Sequence, residues 1–398
     1  MSQNQTQKIG VGTATIIGMN AMIGAGIFTA PNALASNVGP AGILAYLFVV
    51  VAVWFMGLSL ARVAELFPQE GAFYAYVKPL AGHTAGLLAN LSFLLGPSIA
   101  MGLLTYEAGK YLHPFIPFIE AKNLGLGILV ALVLLNMHGV TLSKIGQRIL
   151  IACTVFPVLT TIAICFSKAD LNNLIPFAPY GTRNVLAATR VVIFGFFGFE
   201  CIPFIFKSID DPGRNVPRAM TYAVGIVGVL YLLFVGALLL AIPNAYFGDP
   251  RYPLLTDMLA TVFPSNPILL GAVHIAILSA ILGTVHSMIW GMSSLFCSFV
   301  KIATKTQPKP ICLPHRVCVA AIASIILFSF ALLKKSDLFA SFTALFNVSA
   351  FIAAMLTLLT IRSEWRSGRN IITLLGLATA LTIWYFAIES IVLTLTCS

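Results

Sequence analysis

Charge is what this chain of 398 residues has least of: Asp, Glu, Lys and Arg make up 9% of it and hydrophobic residues 59%, where a soluble domain carries roughly 25% charged residues. Acids are the rarer sign, 13 against 23 basic residues. Neither sign occurs between Lys8 and Arg62, a run of 53 positions. With a mean hydropathy of +0.96, that scarcity excludes a water-soluble fold. The net charge of +10 then reports basic loops beside a membrane rather than a nucleic-acid partner. Cysteine motifs are missing too. Cys153, Cys165, Cys201, Cys297, Cys312, Cys318 and Cys397 mostly fall in apolar segments with no CxxC pair, and read as small core residues rather than disulfides or metal ligands. The six histidines, His83, His113, His138, His274, His286 and His315, are scattered. No clustered catalytic or metal-ligating set exists, and no phosphate-binding Gly-rich loop. An enzyme, a self-contained ATP-driven pump, a cofactor and a metal centre are therefore not expected. The tail at Met1–Gln7 has no signal-peptide pattern, and no soluble domain is expected at either end.

What is present is hydrophobic length. Runs long enough to span a bilayer predict eleven transmembrane helices near 12–35, 40–62, 84–110, 124–142, 148–167, 187–207, 217–242, 268–301, 316–333, 338–361 and 371–393. Pro40, Pro217, Pro267 and Pro314 fall at or just before helix starts, where a missing N–H costs little. With the N-terminal tail (1–11) in the cytoplasm, 15 of the 23 basic residues lie on the inner side, the expected asymmetry. Eleven spans then place the C-terminus outside. Residues 63–83 read as an inner loop with a short interfacial helix. Residues 243–266, with a short helix near 254–263, read as an outer loop, either a lid or a solvated connector. Polar pore-lining stripes do not repeat, which argues against a channel.

The most informative residues break this pattern. Met22-Ile23-Gly24-Ala25-Gly26-Ile27-Phe28 puts two glycines in the middle of span 1, and Phe194-Gly195-Phe196-Phe197-Gly198-Phe199-Glu200 repeats the device in span 6. Glycines also allow close helix packing, but a spacing of two suits that less well than unwinding. Five spans separate the two breaks, so the second set of five enters the membrane from the opposite side. Interrupted helices at matching positions of inverted halves point to a binding site at mid-membrane. Half-helix N-termini suit a carboxylate and the opposed C-terminal ends an ammonium. An α-amino acid carries both.

At these residues the chain resembles the amino acid–polyamine–organocation superfamily of permeases. Further similar stretches are Asp211-Pro212-Gly213-Arg214-Asn215-Val216-Pro217-Arg218-Ala219 and, more weakly, Asn136 to Gln147. The resemblance covers roughly residues 10–361. It implies an all-α membrane fold of LeuT type, with discontinuous helices 1 and 6, a first five-helix repeat over 12–167, an inverted second over 187–361, and an additional helix at 371–393. It implies alternating access and a secondary transporter in a bacterial inner membrane, monomeric or homodimeric among lipid, with protons as a coupling partner or exchange in their place. Members usually have twelve or more helices. Proton-coupled relatives often carry a lysine where this chain has Thr154, and basic-substrate antiporters a tryptophan where it has Phe194.

Expected substrate contacts are Ile23, Gly24, Ala25, Gly26 and Ile27 on span 1, Ser98 on span 3, Phe194, Gly195, Phe196, Phe197 and Gly198 on span 6, Met288 on span 8 and Asn347 on span 10. This apolar, aromatic wall favours a neutral amino acid, apolar or aromatic. The alternative is a basic amino acid or polyamine antiporter of arginine/agmatine type, which a phenyl ring at 194 would serve less well. Coupling and gating candidates are Glu200, His286, Ser287, Thr154, Asp211 and Arg214. Glu200 is the acid placed well inside a span, where an ionisable group defaults to a functional reading or ties helices together. His286 is either a proton site or a neutral histidine bonded within the bundle. The hydroxyls beside it, Thr284 and Ser287, could contribute to a sodium site. Asp211, Arg214 and Arg218 are expected to form an inner-loop ion-pair and capping network. Glu107 with Lys110 is expected to pair, Arg190 to snorkel, and Glu389 to sit at the outer interface.

Overall fold

The computed structural model describes residues 8–24, 26–68, 73–139, 144–249, 251–252, 254–304, 313–332, 336–361 and 369–396. Its elements follow from hydrophobic length interrupted by glycine and proline. Span 1 is two half-helices, α1 (Val11–Met22) and α2 (Gly26–Val38), each about 20 Å long and so half a bilayer. Then come α3 (Gly42–Leu66), α4 (Phe73–Leu112), α5 (Ala121–Met137), α6 (Lys144–Phe166) and α7 (Gly181–Val192). The second half holds a single turn α8 (Cys201–Phe204), α9 (Pro212–Ala241), the short α10 (Leu255–Val262), α11 (Pro267–Ala303), α12 (His315–Leu332), α13 (Ser336–Leu359) and α14 (Asn370–Thr396). A helix, whole or interrupted, thus occupies each of the eleven expected stretches. Among the described residues, seven helices are long and apolar enough to cross a membrane by length and composition, and Val11–Met22, Ala121–Met137 and Ala152–Phe166 are shorter apolar helices.

The differences have local causes. The interfacial helix of the inner loop is continuous with span 3 as α4, bent where Gly82 takes φ +82° beside Ala81. Span 6 departs furthest. It starts earlier, at Gly181, and after Val192 runs as short 3-10 turns around the single turn of α8. Pro203 lacks an N–H, and Gly198 at φ +116° leaves the helical region. Hydrophobic content carries the chain through the bundle there without a regular ladder.

α1 packs on α9 and α2 on α7, while α4 packs on α5, α11, α12 and α13. Close approaches use glycine. A Cβ on Gly109 would overlap Ala121 O, and one on Gly57 would lie 2.7 Å from Met220 Sδ. At the end of the bundle carrying the N-terminus, Ile9 pairs with the segment after α8: its N–H donates to Ser208 O (2.9 Å) and its carbonyl accepts from Asp210 N–H (2.9 Å). This bridge is the only β pairing among the described residues.

The cysteine reading needs correction. Cys297 and Cys318 form a disulfide joining α11 to the first turn of α12, with Cα atoms 5.9 Å apart. A separation of 21 residues across a helical hairpin carries no pairing signal in sequence. Cys153, Cys165 and Cys201 are free, and Cys312 and Cys397 lie outside the described residues.

Candidate functional site

The two glycine breaks face each other. A Cβ on Gly26 would overlap the Cα of Gly195, and one on Gly198 would overlap the carbonyl oxygen of Ala21. Glycine at 26 and 198 is what lets backbone meet backbone, whereas a Cβ on Gly195 would come no closer than 3.4 Å to its neighbours. α2 starts at Gly26, so the amides of its first turn lack intrahelical partners beside that contact. The carboxylate of Glu200 turns back to accept a hydrogen bond from Gly198 N–H (2.9 Å), and the residue is 2% exposed.

A residue missed in the sequence holds the breaks together. The Tyr231 hydroxyl, fully buried on α9, reaches both Met22 O and Gly195 O at 2.9 Å. Its ring sits 5.0 Å from that of Phe196 and edge-on to Tyr46 at 6.4 Å. The available signal was a tyrosine in an otherwise apolar run, since a buried phenol seeks a partner. Which partner it finds depends on two segments far away in the chain.

Two cavities adjoin the breaks. The larger, about 600 Å³, is bordered by Ile23, Gly198, Glu200 and Thr154, and by a face of α11 that presents Ser279, Thr284, Ser287 and Ser294. It reaches the surface at Pro68, Lys207 and Ser208, which are exposed at the N-terminal end of the bundle. The smaller, about 20 Å³, lies between Gly24, Gly26, Phe194, Phe197, Pro97, Ala100, Leu104, Met288 and Asn347. Ala21, Pro97, Thr284 and Met288 border both. The larger is of the size that holds a small ligand, and the smaller adjoins it across those four residues.

Of the expected contacts, Ile23, Gly24, Gly26, Phe194, Phe197, Gly198, Met288 and Asn347 come together on these walls, as do Glu200, Ser287 and Thr154. Gly195 stands behind Gly26, and Phe196 packs on Tyr231. Ile27 is fully buried and borders neither cavity, and Ser98 Oγ donates to Leu94 O of its own helix (2.7 Å). Ala25 lies outside the described residues. His286 borders neither cavity. It contacts Asn136 Nδ2 on α5 at 3.1 Å, the bundle-bonded alternative.

The expected inner-loop network does not form among the described residues. Among the described residues Asp211, Arg214 and Arg218 make no ion pair, and Asp211 caps α9 through its backbone carbonyl at φ +38°, without a side-chain bond. A left-handed backbone at the cap turns the carboxylate away from the first-turn amides. Glu107 does pair with Lys110 (2.9 Å). Arg190 donates to Ala187 O (2.6 Å) and Ser341 Oγ (3.3 Å), and Glu389 pairs with Arg183. Among the described residues no three His, Cys, Asp or Glu side chains gather as a metal site.

A family model described as amino acid permease matches residues 13–398. An uncharacterized transporter of Mycobacterium tuberculosis is 28% identical over 291 residues, 72% of this chain and 64% of the relative. An uncharacterized amino acid permease of Bacillus subtilis, YecA, is 27% identical over 224 residues (56% and 52%). The branched-chain amino acid permease BcaP of the same organism is 23% identical over 273 residues (62% and 58%). The matched part spans less than two thirds of the length of each of these relatives.

Proposed function

The chain belongs to the amino acid permease family, and from that premise we propose that it is a secondary active transporter carrying a neutral α-amino acid through the membrane by alternating access. The observation that carries this reading is the meeting of the two broken helices, Gly26 against Gly195, beside a cavity that reaches one face of the bundle. The unpaired amides at the start of α2 suit the substrate carboxylate, and carbonyls at the break suit its ammonium. The reading takes the breaks as matching places of a first repeat over 12–167 and an inverted second over 187–361, with 371–393 added, as in a LeuT-type fold.

With the N-terminus cytoplasmic in a bacterial plasma membrane, the large cavity opens inward and the structure is the inward-facing state. Neutral specificity is supported by the small cavity, whose lining holds no charged side chain, and by the name of the branched-chain relative. A basic substrate would need a counter-charge. The acid nearest the breaks, Glu200, is already engaged by Gly198 N–H. Glu200 stands at the junction of the break and the cavity, and it is our candidate for coupling substrate to a proton, since the lysine position of proton-coupled relatives is Thr154.

Radiolabelled uptake into proteoliposomes tests the reading, with neutral, aromatic, basic and acidic amino acids, each with an inward proton gradient or with unlabelled internal substrate. Uptake of neutral amino acids supports it. The proton arm alone would make the protein a symporter and the internal-substrate arm alone an exchanger. Uptake confined to arginine, agmatine or polyamines would replace neutral with basic specificity, and no amino acid uptake under any arm would reject the proposal.

A further inference from the structure

The smaller cavity has one unusual wall. Pro97, Ala100 and Leu104 on α4, Met288 on α11 and the rings of Phe194 and Phe197 are apolar, and Asn347 on α13 faces the same small space. Asn347 is 0% exposed, and neither its Oδ1 nor its Nδ2 has a hydrogen-bond partner among the described residues. It fits because residue 96 is glycine, where a Cβ would overlap Oδ1. A carboxamide buried with donors and acceptor unpaired is costly. A leucine of similar volume would line this apolar wall without that cost.

We infer that Asn347 reads the tip of the substrate side chain and selects neutral amino acids ending in a hydroxyl or carboxamide over their aliphatic isosteres. This rests on the transporter reading above, which places the α-carboxylate and ammonium at the breaks and so directs the side chain toward α4 and α13. An amide both donates and accepts, and a hydroxyl or a second amide answers both. A charged tip finds no counter-charge in the lining. A large ring does not fit, since about 20 Å³ is little more than the space one water requires. An aliphatic tip of equal size fits but leaves the amide unpaired, the asymmetry by which polar sites reject apolar analogues.

The test is uptake of L-threonine against L-valine, L-serine against L-α-aminobutyrate and L-asparagine against L-leucine in proteoliposomes of the full chain, wild type and Asn347→Leu. Asn347→Ala replaces it if the leucine variant fails to insert. The expected result is a preference for the polar member of each pair by about tenfold or more in the wild type, collapsing or reversing in the variant. Equal or reversed preference in the wild type overturns the inference but leaves amino acid transport standing, and so would result if a water satisfied the amide. A polar preference that survives in the variant overturns the role of Asn347. Absence of uptake for every amino acid strikes the transporter reading itself.

Discussion

At the residue scale, single polar atoms in an apolar bundle do the positioning, and their effects are separable. Tyr231→Phe removes one hydroxyl and leaves Met22 O and Gly195 O without their shared donor, a loss of about 1–3 kcal/mol in a buried setting. Transport is expected to fall about tenfold or more while thermal stability in detergent shifts by only a few degrees. Equal uptake by the phenylalanine variant would mean the breaks are held by packing alone. Glu200→Gln keeps an acceptor for Gly198 N–H but cannot take up or release a proton. Its expected phenotype is uptake that no longer responds to a proton gradient, with exchange of internal for external substrate retained. An unchanged gradient response would remove Glu200 from coupling. The legibility of such residues was uneven. Glu200 and His286 stood out because titratable groups in apolar spans need a reason, and Asn347 and Ser98 as expected wall residues; yet Ser98 bonds back along its own helix and His286 to Asn136. Composition shows that a polar group is buried. It does not show which way it faces.

At the element scale, glycine decides where helices stop and how closely they approach. Gly26→Ala would drive a methyl into the backbone of Gly195, with no side chain able to move aside, and is expected to abolish transport in a protein that still reaches the membrane. Packing glycines divide in the same way. Gly109→Ala meets the carbonyl of Ala121, so α4 and α5 must separate, at a cost of about 1–3 kcal/mol. Gly57→Ala meets the flexible end of Met220, which can repack. A thermal melt series should show a clear drop for the first and little for the second. Similar drops for both would show that α3 and α9 have no slack. Hydrophobic length marked out the span elements, and α10 was placed within a residue or two. Span 6 was misjudged in its second half because apolarity there reflects burial rather than helicity, and Pro203 with Gly198 prevents a regular ladder.

At the scale of the whole molecule, the large cavity's opening beside Pro68, Lys207 and Ser208 sets an accessibility asymmetry. Cys201 is free and borders the large cavity. A membrane-impermeant thiol reagent should label it in inside-out vesicles and much less in right-side-out ones, with saturating substrate lowering the rate. Labelling from the opposite face alone would invert the orientation argued from the basic residues. The amino-acid sequence by itself determined the solvent this chain folds in, the number and order of its apolar segments, and the two places where a helix must open, because bilayer length and glycine content are local properties. Only the tertiary structure decided that the two openings touch, that Tyr231 spans them, that Cys297 meets Cys318, and that Asn347, over Gly96, has no partner among the described residues. Each of those facts is a contact between segments distant in the chain, set by how helices pack against one another, and no local pattern encodes it.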